Sequence, residues 1–156
     1  MAVTIGQPAP SFSLYNTEKN KVSLPDFKGR NLVILFFPLA FSSVCTRELC
    51  EMSDNYTEFT KLNTEVVGIS VDSLYSNKKF KEIYKIPFPL LADFNKEAAI
   101  AYNVLIEKFS YDMKGVSTRA TFVIDKDGIL RYTEVLPSPG DYPNMTALRK
   151  AVAALN

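Results

Sequence analysis

The sequence predicts an α/β protein, a mixed central sheet with helices on both faces, and three observations carry that expectation. Leu32–Phe37 and Glu65–Val71 are short, nearly continuous apolar runs, as in central strands covered on both sides. Between them Cys45, Leu49, Met52, Tyr56 and Phe59 recur at intervals of four, three, four and three, which is one apolar stripe of a helix. Near the end, Asp125-Lys126-Asp127-Gly128 links two strand-like segments as a hairpin turn.

In chain order, Gly6–Pro10 is rich in turn formers, and Phe12–Leu14 and Val22–Leu24 flank the polar loop Asn16–Lys21 as a hairpin. The turn Phe27–Asn31 leads into the first apolar run, which ends at Pro38. Ser42 or Ser43 can cap the helix that follows. Ser73–Lys85, with Leu74, Phe80, Ile83 and Tyr84, reads as a second helix stopped by Pro87. Pro89–Ala92 reads as a short strand, and Asp93 or Asn95 as the cap of a short helix through Ala101. Asn103–Ser117 has no period and reads as a loop. The strands Ala120–Asp125 and Ile129–Val135 then precede a closing helix, Asn144–Leu155, with Leu148, Val152 and Leu155 inward. The order is that of a thioredoxin-like fold with additions at the N-terminus and in the middle, one domain over residues 1–156.

Composition removes several classes of function. A net charge of +1 gives no electrostatic case for nucleic acid or for an acidic membrane surface. No apolar run approaches the roughly 18 residues of a membrane span. The start, MAVTIGQPAPSF, lacks the basic and apolar regions of a secretory signal, so a cytoplasmic location is expected. With two cysteines and no histidine, Cys-His dyads, Ser-His-Asp triads and closed zinc sites are all excluded, and neither a metal nor a cofactor is expected. Redox chemistry at the thiols survives.

Cys45 lies in the first turn of its helix, where unpaired N–H groups and the positive end of the helix dipole stabilise a thiolate without any histidine base. Burial as a small hydrophobe is the plainer reading of the same residue. Cys50, five residues on, falls about 140° round the helix with Asp54, Thr57 and Lys61, on a face expected to be polar and exposed. In an unbroken helix their Cα atoms stand roughly 8–9 Å apart, beyond the about 7 Å that a disulfide tolerates. If the two thiols join, the first turns of the helix must unwind. The Cys-x-x-x-x-Cys spacing also differs from the Cys-x-x-Cys of thioredoxin-type oxidoreductases.

Pro38, Ser42, Cys45 and Glu48 together spell P-x-x-x-S-x-x-C-x-x-E, which closely resembles the peroxiredoxin signature. With Cys50 added, the segment resembles the bacterioferritin-comigratory, or Q-type, peroxiredoxins. GQPAPSFSL, VVGISVDS and STRATFVIDKDGILRY extend the likeness over nearly the whole chain, and PLAF is similar to the one-cysteine type.

The resemblance implies a thiol peroxidase acting on hydrogen peroxide or alkyl hydroperoxides. It implies Cys45 as the peroxidatic nucleophile, forming a sulfenic acid, and Cys50 as the resolving thiol that condenses with it to a disulfide. Thioredoxin or a similar dithiol then restores both. Arg119 matches the family's active-site arginine and would stabilise the thiolate and the charge developing on the peroxide. Ser42 would hydrogen-bond the peroxide or the thiolate, Pro38 would shield the sulfur from water, and Glu48 would orient Arg119. The family contains both monomers and homodimers. Three other readings remain: resolution by an external thiol with Cys50 incidental, a peroxide-sensing switch protein, and a disulfide oxidoreductase.

Overall fold

The two apolar runs lie side by side at the centre of the sheet. The computed structural model describes residues 3–138 and 140–155. Its strands are β1 (Ser13–Asn16), β2 (Lys21–Ser23), β3 (Asn31–Phe36), β4 (Thr64–Ser70), β5 (Leu90–Ala92), β6 (Leu105–Ile106), β7 (Val116–Ser117), β8 (Ala120–Ile124) and β9 (Leu130–Val135). Its helices are α1 (Ser43–Lys61), α2 (Leu74–Tyr84), α3 (Glu97–Ala101) and α4 (Met145–Ala153). Seven strands form the main sheet in the order β2-β1-β5-β4-β3-β8-β9. β3 runs parallel to β4 and antiparallel to β8, with Val33 opposite Val66 on one side and Val123 on the other.

Every residue of β3 is buried, which is why the run has no polar face. Its alternate side chains feed two cores. Leu32, Ile34 and Phe36 join Val67, Ile69, Phe122, Tyr102, the alanines of α3 and the N-terminal Phe12. Val33, Leu35 and Phe37 meet the stripe Cys45, Leu49, Met52 and Phe59 of α1, together with Phe80 of α2 and Leu148 and Val152 of α4. Helices therefore cover both faces, α3 on one and α1, α2 and α4 on the other.

Several local expectations are sharpened. Lys96 holds the N-cap position of α3, and of the two expected caps it is Asp93, three residues before it, whose carboxylate accepts from the Ala98 and Ala99 N–H groups at 2.9 and 2.8 Å. The second of the two C-terminal strands begins at Leu130, and Ile129 forms an isolated bridge with Pro8 of the N-terminal segment. In α2, Phe80 is buried while Ile83 and Tyr84 are exposed, and Asn77 also turns inward, its side-chain oxygen 3.3 Å from Ser70 Oγ. One expectation is corrected. Residues 103–117 are not a plain loop but hold the β6–β7 hairpin and a 3₁₀ turn at Ser110–Asp112. Two-residue strands are too short to show alternation, so the sequence had no period to display.

Gly68 leaves little room for a side chain between the sheet and α1. A Cβ there would lie 2.7 Å from Leu90 Cδ2, 3.2 Å from Phe37 Cε1 and 3.4 Å from Leu49 Cδ1. Leu90 is itself fully buried and has little room to yield. Gly68→Ala is therefore expected to lower unfolding stability by about 1–3 kcal/mol, read as an earlier midpoint in urea denaturation. Among the described residues no helix is long and apolar enough to cross a membrane.

Candidate active site

The site is built where β3 ends. Phe37 N–H donates to the Ile69 carbonyl at 3.1 Å, carrying the β3–β4 alignment one residue further, and Pro38 is buried beyond it. The loop that follows is tied to β4. Ala40 N–H donates to Asp72 Oδ2 at 2.8 Å, and Ser70 Oγ donates to the same oxygen at 2.7 Å. Phe41 adopts a left-handed backbone, φ 71°, which a bulky residue holds only when its surroundings require it. Its ring sits 5.0 Å from that of Phe80.

Ser42 occupies the N-cap position of α1, but its hydroxyl does not cap the helix. It donates back to the Leu39 carbonyl at 2.8 Å, while the Ser42 carbonyl accepts from the Thr46 hydroxyl at 2.9 Å. The expected cap is thus present by position and not by side-chain bond. The first-turn N–H groups are correspondingly left for another acceptor.

Cys45 is the third residue of α1, fully buried, with its side chain on the packed stripe. Arg119 is brought to it by sheet register. Phe36 pairs with Ala120 across β3 and β8, so the residue before Ala120 falls beside the end of β3. The Arg119 carbonyl accepts from Leu136 N–H at 3.0 Å, and the neighbouring Ser117 hydroxyl donates to the Phe37 carbonyl at 3.3 Å. Arg119 Nη1 donates to Cys45 Sγ at 3.1 Å and to Glu48 Oε1 at 3.0 Å. Arg119 is 1% exposed and Glu48 not at all. A thiol, a guanidinium and a carboxyl are therefore packed together out of water, the carboxyl one helical turn after the thiol. Glu48 Oε2 is buried with no hydrogen-bond partner among the described residues. Burial pushes the Glu48 carboxyl up to about 7, against the pull of the Arg119 charge and hydrogen bond.

Cys50 lies elsewhere on the same unbroken helix, and both thiols are free. Asp54, Thr57 and Lys61 are exposed as expected, but Cys50 itself is half-buried, a correction to its expected exposure. That partial burial, with the Asp54 charge, pushes its thiol up. One neighbour that holds the outer face of the helix has no signal in the sequence. Tyr142 lies under the Arg47 guanidinium at 3.9 Å and donates its hydroxyl to Glu51 Oε1 at 2.6 Å. Asp72 escaped notice as well, although a carboxylate just after a buried strand was the available signal. Among the described residues no cluster of acidic, cysteine and histidine side chains could hold a metal ion.

A sequence model of the AhpC/TSA family matches residues 5–133. A mitochondrial thioredoxin-dependent peroxide reductase of Drosophila melanogaster is 37% identical over 148 residues, covering 88% of this chain and 61% of that protein. A Coxiella burnetii protein assigned to the peroxiredoxins as bcp is 36% identical over 132 residues, covering 83% of this chain and 87% of that one. Among solved structures, Enterococcus faecalis AhpC superposes with a TM-score of 0.86 at 30% identity, over 99% of this chain and 92% of that one. With the thioredoxin-like sheet and a thiol at the head of α1, these matches make the chain a member of the AhpC/TSA family: it is a peroxiredoxin, a thiol peroxidase with bcp among its relatives.

Proposed function

We propose that this enzyme reduces hydrogen peroxide and alkyl hydroperoxides through Cys45, with Cys50 resolving the product and a thioredoxin-like dithiol closing the cycle. The observation that carries the reading is the 3.1 Å hydrogen bond from Arg119 to Cys45 Sγ inside a dry site at a helix start. A guanidinium and the first-turn N–H groups both favour negative charge on that sulfur.

In the first step the Cys45 thiolate attacks the terminal peroxide oxygen. An S–O bond forms, the O–O bond breaks, sulfur loses two electrons, and the departing alkoxide or hydroxide takes up a proton. Arg119 stabilises the charge that develops on the peroxide oxygens. Ser42 supplies a hydroxyl donor in exchange for its bond to Leu39, Pro38 keeps water from the sulfur, and Glu48 holds Arg119 in place. In the second step the Cys50 thiol attacks the sulfenic sulfur, an S–S bond forms and water leaves. Because both cysteines sit in one continuous helix, that step requires the first turns of α1 to open. Exchange with an external dithiol then restores both thiols and leaves the reductant as a disulfide. A cytoplasmic setting, a single domain over 1–156, a monomer or homodimer, and no dealings with nucleic acid or membrane complete the reading.

One observation favours a second reading, in which an external thiol resolves Cys45. Cys50 is half-buried on an intact helix, and its thiol is pushed up. The two readings part on one experiment. Cys50→Ser is expected to consume about one equivalent of peroxide per chain and then stall with thioredoxin and its reductase. After a single equivalent, non-reducing peptide mapping of the unsubstituted chain should show Cys45 linked to Cys50. Sustained turnover of Cys50→Ser, with no such link in the unsubstituted chain, would select the external thiol.

A further inference from the structure

Arg119 Nη1 serves two acidic groups at once, Cys45 Sγ at 3.1 Å and Glu48 Oε1 at 3.0 Å. All three side chains are buried, so water screens neither the attraction nor the repulsion between them. If thiolate and carboxylate formed together, the cluster would carry one uncompensated negative charge in the core. Glu51 on α1 and Glu134 on β9 already set negative charge against Glu48, and Tyr142 faces it from the loop before α4. The cation nearest Glu48 is Arg119 itself, which Cys45 also engages. The second carboxyl oxygen, Oε2, is buried with no hydrogen-bond partner among the described residues, so an ionised carboxylate there lacks the donors that ordinarily offset the burial of its charge.

We propose that Cys45 and Glu48 hold one exchangeable proton between them, competing for the single guanidinium of Arg119, so that the thiolate exists while Glu48 is neutral. The inference rests on Cys45 being the reactive thiol and assigns Glu48 more than the orientation of Arg119. Glu48 is a positioning residue that also acts as the proton reservoir of the site. Burial holds its carboxyl up at about 7, in keeping with that role. The thiol and carboxyl then titrate as a pair, with neither step belonging to one residue alone.

A proton balance follows. In the shared state, thiolate plus neutral Glu48 plus hydroperoxide gives sulfenic acid, ionised Glu48 and alcohol. One negative charge enters and one leaves. The peroxide is reduced, the sulfur is oxidised, and the proton taken by the leaving alkoxide is matched by the one Glu48 gives up. The attack therefore exchanges no net proton with solvent.

The test uses the full chain with Cys50→Ser, so that Cys45 is its one thiol, and follows thiolate by ultraviolet absorbance against pH. This reads ionisation whether or not the protein turns over peroxide, and so separates failure of this inference from failure of the proposed peroxidase activity. Adding Glu48→Gln keeps an acceptor for Arg119 and removes the competing charge. It is expected to move thiolate formation towards acid by about one pH unit, a gain of about tenfold in thiolate on the rising limb. It should also turn a broad two-step profile into a single step. An unchanged profile, or a shift towards alkali as expected from a loosened Arg119, would overturn the proposal. Should Glu48→Gln fail to fold, the carbon resonance of the Glu48 carboxyl in labelled protein gives the reciprocal measurement. Cys45→Ser is expected to bring its titration down, and no movement would overturn the proposal equally.

Discussion

Cys45→Ser is expected to abolish peroxide consumption while leaving the fold in place. The serine oxygen would be a poor nucleophile without a base, and the chain has no histidine to supply one. The guanidinium that favours a thiolate cannot generate an alkoxide, because a hydroxyl is far less acidic than a thiol. The buried hydroxyl can accept from Arg119 as the sulfur does, so the packing change is small. The measurement is steady-state peroxide loss with thioredoxin and its reductase, alongside far-ultraviolet circular dichroism. Undiminished turnover would remove Cys45 from the proposed role and leave Cys50 as the remaining thiol.

Arg119→Met should have the second largest effect, on rate and on stability together. Removing a donor aimed at charge developing in the transition state costs about 10²- to 10³-fold in kcat. The same substitution leaves Glu48 buried without its partner; a carboxyl already raised to about 7 then stays protonated, and its unsatisfied polar atoms typically cost about 1–3 kcal/mol. The two losses can be separated. Arg119→Met combined with Glu48→Leu removes the stranded carboxyl and should recover most of the stability but none of the rate. If the double variant recovered the rate, Arg119 would be acting through packing alone.

The pH dependence of stability has a definite sign. The Glu48 carboxyl is raised by burial from its ordinary 4.5 to about 7 in the folded chain. Between those values the folded state holds a proton that the unfolded state has released. The contribution is thus whole below 4.5 and lost as pH rises through about 7, a fall on the order of 3 kcal/mol. Glu48→Gln flattens that part of the profile.

Much of the architecture could be read from local pattern because the pattern has a local cause. β3 lacks a polar face because both of its faces are packed, and the α1 stripe has helical period because one side meets Val33, Leu35 and Phe37. Glu48 left a trace too, since it sits three residues after Cys45 on the buried side, where a charged residue needs a partner. The partner itself had no local trace. Arg119 reaches Cys45 through the pairing of β3 with β8, and no spacing near either residue encodes that register. Family resemblance supplied it. Asp72 reaches the loop at Ala40, and Tyr142 reaches Arg47 and Glu51, across distant parts of the chain, so no local spacing pairs them with their partners. The 103–117 region was missed because its strands are two residues long.

The distance along the chain between thiol and cation also has a meaning for biosynthesis. Arg119 follows Cys45 by 74 positions and Glu48 by 71. A ribosome releases Cys45, its helix and Glu48 long before the arginine that both contact in the folded chain. Until β8 has emerged and docked against β3, Cys45 is a cysteine without its guanidinium. The reactivity proposed for it would thus be among the last properties that a newly made chain acquires, arriving with the sheet that completes the fold.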